Sequence, residues 1–229
     1  MRFDFAAETN IGLVRDRNDD SFCLIAEPGA ANAMMAVADG VGGHADGDLA
    51  SFLCCRELMR GWRRGGFAGM PPGEGLKDAF LAAIESANME ICRQNRFGHR
   101  PMPMCTTLVA AVFTPESVCI FNVGDSPCLL LRDGRLEQLT EDHHINESST
   151  VINRAIGVMP GMKVDVRELA LRAGDRFLLC SDGLTCGVAN DLMTRILGSA
   201  ETPRDAVDAL LKAALVAGGH DNMTAAAAF

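Results

Sequence analysis

Acidic turns stand at the ends of apolar runs along this chain, and that placement limits the folds open to it. Met34-Met35-Ala36-Val37-Ala38 stops at Asp39-Gly40, and Val118-Cys119-Ile120-Phe121-Asn122-Val123 stops at Gly124-Asp125. Phe177-Leu178-Leu179-Cys180 leads through Ser181 to Asp182-Gly183, and Asp221-Asn222 precedes the last apolar run. Short apolar runs bounded by turn formers read as buried strands. Strands that end in carboxylates put hard oxygen donors along one edge of a sheet, where a bound cation readily offsets the accumulated charge. The pattern is that of a metal site.

A chain of 229 residues can bury one good core, and with neither a Pro/Ser-rich linker nor a charge-block tail we expect a single domain over 1–229. Hydrophobic residues at 48% and charged ones at 22% suit a soluble globular protein. No apolar stretch approaches the roughly 20 residues needed to span a bilayer. Met1-Arg2-Phe3-Asp4-Phe5 lacks signal-peptide character, so membrane insertion and secretion are not expected. A net charge of -9 repels nucleic acid and anionic membranes. The nine cysteines, odd in number and without a CxxC pattern, read as reduced core residues of a cytoplasmic protein.

Strands are expected at 4–7, 21–25, 34–38, 107–113, 118–123, 127–132, 136–139, 164–170, 176–180 and 223–229. Turns at Thr114-Pro115-Glu116-Ser117 and Arg132-Asp133-Gly134-Arg135 suggest a meander through 107–139. Helical spacing covers 48–62, with Leu49, Phe52, Leu53, Leu58 and Met59 as its apolar positions, and 76–97. Two more helices cover 190–197 and 202–217, the latter with Thr202 as cap and Pro203 at its first position. Strands and helices are segregated, so the class is α+β, helices packed over antiparallel sheets. The alanine-rich end, 224–229, has poor strand propensity and is also compatible with a helix. Met102 and Met104 are expected to fill core space.

Single motifs here are weak, but their order is specific. Arg15-x-x-Asn18-Asp19-Asp20, Ala38-Asp39-Gly40-Val41-Gly42-Gly43-His44, Thr106-Thr107 and Gly124-Asp125-Ser126 are followed by Leu139-Thr140-Glu141-Asp142-His143. Arg154-Ala155-Ile156-Gly157, Ser181-Asp182-Gly183-Leu184 and Asp221-Asn222-Met223-Thr224 complete the series. The chain thereby resembles, from about residue 8 to its end, the metal-dependent protein phosphatases of type 2C in their compact bacterial form.

That resemblance implies a sandwich of two antiparallel β-sheets flanked by α-helices on both faces, with a two-metal centre at one end. It assigns Asp39 as the bridge between two Mn2+ or Mg2+ ions, with the Gly40 carbonyl on one and Asp182 and Asp221 on the other. The rest of the coordination is mostly water, as small hard cations prefer. Water shared by two cations about 3.5–4 Å apart becomes a nucleophile at neutral pH, so hydrolysis is direct. Arg15 matches the phosphate-binding arginine. Asp19 and Asp20 match the acidic pair supporting the metals, Asp19 through water, and Asn18 and Asn222 read either as outer supports of the metal ligands or as turn-stabilising groups. Asp125, with Asp182, matches a site for a third, weaker ion. The histidines are read mainly as structural, His143 and His144 as structural or substrate-proximal, and His220 as a neighbour of the metals.

The chain also departs from the family pattern. Asp19 stands where Glu is usual, Val41 where many eukaryotic members have histidine, and Pro127 where arginine usually follows Gly-Asp-Ser. Few residues separate His143 from Arg154, which implies a shortened flap around 143–153; Ser148, Ser149 and Thr150 there are either a polar loop or contacts to substrate or metal. The expected function is a hydrolase of signal transduction, a serine/threonine protein phosphatase opposing a bacterial Ser/Thr kinase and acting on phosphoproteins. The alternatives are a catalytically weak phosphoprotein-binding member of the same fold, and a phosphatase acting on a partner-switching anti-sigma antagonist.

Overall fold

Burial on both faces explains the continuous apolar runs. The computed structural model describes residues 3–41, 46–98, 102–146 and 151–229. Its strands are β1 (Phe5–Asn10), β2 (Asp20–Ile25), β3 (Ala33–Asp39), β4 (Leu108–Phe113), β5 (Ser117–Val123), β6 (Cys128–Arg132), β7 (Arg135–Gln138), β8 (Asp165–Ala170), β9 (Arg176–Cys180) and β10 (Met223–Ala228). They form two antiparallel five-stranded sheets, ordered β1-β10-β9-β6-β7 and β2-β3-β4-β5-β8. The helices are α1 (Gly47–Gly65), α2 (Glu74–Phe97), α3 (Asp182–Gly187), α4 (Asn190–Ser199) and α5 (Pro203–Val216).

Three apolar layers stack through the molecule. Between the sheets, Met35, Val37, Val109 and Ile120 meet Leu130, Phe177, Leu179 and Ala226, with Phe113 edge-on to Phe177 at 5.3 Å. Outside one sheet lie α1 and α2, where Trp62 stacks on Phe67 at 5.2 Å and Phe80 meets Phe121 of β5. Outside the other lie α3, α4 and α5, with Leu184, Leu197 and Leu210 over Leu178 and Ala225. Helices thus cover both outer faces, as the type 2C resemblance implied.

Several local expectations need correction. The meander through 107–139 is two hairpins on opposite sheets: β4 pairs with β5, β6 pairs with β7, and the chain crosses between sheets at 124–127. Gly124, at a φ of 106°, and Pro127, which has no N–H for a ladder, make that crossing. On α1, Phe52 is 53% exposed while Ala50, Cys54, Cys55, Leu58 and Trp62 are buried. Small residues share the buried face with Leu53, Leu58 and Trp62, whereas Phe52 lies toward solvent with Arg56 over its ring. Met104 fills core space, but Met102 is exposed. Cys186 is exposed as well, unlike the buried thiols of the sheets.

β10 resolves the ambiguity of the alanine run. It lies between β1 and β9 and is buried throughout, so ladder pairing and close packing override alanine's weak preference for strands.

Candidate active site

The two sheets present their polar strand ends at one edge of the sandwich. Asp39 closes β3, Asp125 follows β5, Asp182 follows β9 and opens α3, Asp221 precedes β10, and Asp19 leads into β2. Asp20 and Asp39 are direct partners in the β2–β3 ladder. Backbone bonds fix these ends: Gly40 N donates to Asp19 O at 3.0 Å and Thr107 N to Asp39 O at 2.8 Å. A Cβ on Gly40 would lie 2.2 Å from the Gly47 carbonyl oxygen, so the start of α1 can sit against this turn only because residue 40 is glycine.

Two hydroxyls that the sequence put in register without a role turn out to hold Asp39. Thr106 Oγ1 donates to the Asp39 carbonyl at 2.8 Å, and the Asp39 N–H donates to Thr107 Oγ1 at 3.0 Å. Their signal in the sequence was the Thr-Thr pair just ahead of β4. Asn222 is a turn-stabilising group: its Oδ1 accepts from Asp19 N at 2.9 Å, and its Nδ2 donates to the carbonyls of Ile11 and Arg17.

Arg15, Asp19, Asp39, Gly40, Asp125, Asp182 and Asp221 all line one cavity of about 460 Å³. Arg15 Nη2 donates to Asp221 Oδ2 at 2.7 Å, an ion pair between residues 206 apart in sequence. Asp19 Oδ1 accepts from the Asp48 N–H in the first turn of α1, and Asp125 Oδ2 pairs with His144 Nε2 at 3.1 Å. Asp20 is not among the lining residues. It is buried beside them, where Ser181 Oγ and Thr224 Oγ1 each donate to its Oδ2 at 2.7 Å.

Electrostatics mark the cluster as unfinished without positive charge. Burial, then the charges of Asp20, Asp182, Asp125 and Asp221, push the Asp39 carboxyl well above its usual range. Asp182 is raised by burial and by Asp125 and Asp221, with a hydrogen bond to Asp39 working the other way. Asp20 rises to about 6, burial outweighing its two hydroxyl donors. Its second oxygen is buried without a hydrogen-bond partner. Among the described residues no group of three or more Asp, Glu, His or Cys side chains forms a ready-made cage for one ion. The carboxylates stand around shared space instead, which suits small hard cations that keep much of their own water. Donor chemistry, the orphan oxygen and the mutual repulsion all fit a divalent centre.

The histidines take separate places. His143 is structural: Gly124 N donates to its Nδ1 at 3.0 Å, which leaves the proton on Nε2, 2.9 Å from Asp165 Oδ2. Burial alone would raise Asp165, but its bonds to His143 and Lys163 and the charge of Arg154 bring it to about 2. His220 is exposed beside Asp221. His44, His99, Ser148, Ser149 and Thr150 lie outside the described residues.

Comparison with known proteins agrees with this geometry. A family model described as "Protein phosphatase 2C" matches residues 14–217. The serine/threonine phosphatase stp of Listeria monocytogenes serotype 4b is 33% identical over 233 residues, covering 94% of this chain and 91% of that protein. The crystal structure of the Mycobacterium tuberculosis serine/threonine phosphatase PstP/Ppp superposes with a TM-score of 0.84 at 31% identity, covering 99% of this chain and 97% of that one. The catalytic domain of serine threonine protein phosphatase PstP in complex with two manganese ions gives a TM-score of 0.82 at 32% identity, over 99% and 97% of the two chains.

Proposed function

The chain belongs to the protein phosphatase 2C family, and from that membership we propose how its residues divide the work of removing phosphate from phosphoserine and phosphothreonine. It is a protein-serine/threonine phosphatase, a phosphoric monoester hydrolase with a two-ion Mn2+ or Mg2+ centre. Asp39, Asp182 and Asp221, with the Gly40 carbonyl, hold the two ions; Asp20 and Asp19 support them, Asp19 through water; Asp125 with Asp182 serves a third, weaker one. One observation carries this assignment: Asp39, Asp182, Asp221 and Asp125 face one cavity with Arg15, where burial first and then their mutual charge raise Asp39 and Asp182.

Divalent cations at such a site supply Lewis acidity toward the phosphoryl group and a hydrolytic nucleophile at neutral pH. Arg15 spends one Nη on Asp221, which orients the guanidinium and leaves its remaining N–H groups for phosphoryl oxygens. Thr106 and Thr107 hold the Asp39 backbone at the strand end, so its carboxylate is aimed before substrate arrives. Cys180 is fully buried and its thiol is pushed up by burial, which argues against a thiol nucleophile.

We further read residues 1–229 as one catalytic domain that acts on phosphoproteins in bacterial cytoplasmic signalling, opposite a Ser/Thr kinase. Nine free cysteines and the absence, among the described residues, of any helix long and apolar enough to cross a membrane support that setting. The test is hydrolysis of p-nitrophenyl phosphate and of a phosphothreonine peptide with added Mn2+. Activity should vanish with EDTA and fall more than about a hundredfold in Asp39→Asn and Asp182→Asn, since even outer partners of a metal are worth 10- to 100-fold. Cys180→Ser should keep its rate. A folded wild type inert with Mn2+, or a dead but folded Cys180→Ser, contradicts the reading.

A further inference from the structure

Two segments that contribute lining residues to the catalytic cavity carry large aliphatic side chains in water. Leu13 and Val14, just before Arg15, are 69% and 61% exposed. Val151, next to the lining residue Ile152, and Ile145, whose N–H bonds to the Val151 carbonyl, are 57% and 61% exposed. Among the described residues thirteen large hydrophobics are exposed, and these four with Ile11 make five of them. Single exposed aliphatics are ordinary; a group gathered beside a charged pocket points to something that covers it.

The described residues of both segments are tied down through backbone hydrogen bonds. Leu13 N donates to Gly219 O at 2.7 Å, Gly12 N to Asn10 Oδ1 at 2.9 Å, and Asn222 Nδ2 to Ile11 O at 2.9 Å. In the second segment Ile145 N donates to Val151 O at 3.0 Å, Asn153 N to His143 O at 2.8 Å, and His144 bridges to Ile152. The described residues on either side are hydrogen-bonded through their backbones while these aliphatic side chains are exposed.

Building on the phosphatase reading, we propose that Leu13, Val14, Ile145 and Val151 form a docking surface for aliphatic side chains flanking the phosphorylated residue of a protein substrate. Continuity with the cavity identifies the occupant. The phosphoryl group pairs with Arg15, and an extended peptide rises roughly 3.3 Å per residue, which puts the first few neighbours of the phosphorylated residue within reach of the rim. The acidic cavity and the net charge of -9 disfavour acidic flanks, so selectivity among uncharged ones falls to apolar contact.

The test compares two phosphothreonine peptides of equal length and charge. One has Leu, Ile and Val in the three places on either side of the phosphothreonine, the other Ser and Gly. In the wild type kcat/KM should be about tenfold higher for the aliphatic peptide, and in Leu13→Ser/Val14→Ser and in Ile145→Ser the ratio should fall toward one, with melting curves showing that the variants are folded. Equal kcat/KM for both peptides in the wild type overturns the proposal, as does a preference that survives in both folded variants. Turnover of p-nitrophenyl phosphate with Mn2+ separates the two readings. Peptide indifference alongside that turnover ends this inference alone, whereas no turnover of any phosphoester ends the phosphatase reading with it.

Discussion

Asp39 and Asp20 carry the conflict built into this site. Asp39 is half-buried among four other carboxylates, so in the metal-free protein its charge works against the fold. Asp39→Asn removes that charge at nearly constant shape. The variant should melt a few degrees above wild type in EDTA, yet gain less from added Mn2+; calorimetry in both conditions checks it. Ser181 does the opposite service, since its hydroxyl donates to Asp20 and also accepts the Thr224 N–H. Ser181→Ala should cost about 1–3 kcal/mol, read from denaturant unfolding, because it strips a hydrogen bond from a buried carboxylate. A cost below about 0.5 kcal/mol, the low end for a single hydrogen bond, would show that Asp20 is neutral in the folded protein or finds another donor.

At the scale of elements, α3 is the piece that brings Asp182 toward Asp221. A Cβ on Gly183 would lie 2.0 Å from the Asn222 carbonyl oxygen, so the first turn of α3 touches the entry to β10 only through glycine. Gly183→Ala should destabilise by about 1–3 kcal/mol, as overpacking does, and should weaken Mn2+ binding as Asp182 is pushed from Asp221. Unchanged affinity by titration calorimetry would contradict that.

The same helix shows where sequence reading stops. α3 spans six residues, too few for a helical period, and Asp182-Gly183 reads equally well as a turn. The carboxylates at the ends of β3, β5 and β9 were legible because each interrupts an apolar run, and the strands themselves came out within a residue or two for most of the chain. The Arg15–Asp221 pair was not, since nothing local relates residues 206 apart. Nor was the crossing at 124–127, because a turn between two apolar runs looks the same whether the second strand joins the same sheet or the other one. Phe52 misled the reading of α1 because an aromatic at helical spacing outweighs small residues on a hydropathy count, whereas close helix–sheet packing favours Ala50, Cys54 and Cys55.

For the whole molecule, proton linkage and the proposed metal linkage act on the same cluster. Asp20 titrates near 6 when folded against about 4 when unfolded, and Asp39 and Asp182 are raised as well. The folded chain therefore holds protons that the unfolded chain releases. Stability from these groups is full below about pH 4 and is lost as pH rises through about 6. Asp165, lowered to about 2, acts in the other sense and loses its contribution only as pH falls below the usual carboxylate range. Melting temperature in EDTA should thus decline from pH 5 to neutrality, and saturating Mn2+ should reverse the decline; a flat profile in EDTA would contradict the linkage.

The proposed pair of divalent ions between Asp39, Asp182 and Asp221 stands or falls on where manganese binds. Anomalous scattering from a crystal soaked in MnCl2 tests it most directly. Two manganese peaks are expected in the cavity lined by these three carboxylates and Arg15, and both should be lost in Asp39→Asn. A soaked crystal with no anomalous density in that cavity, or with manganese bound only elsewhere, would contradict it.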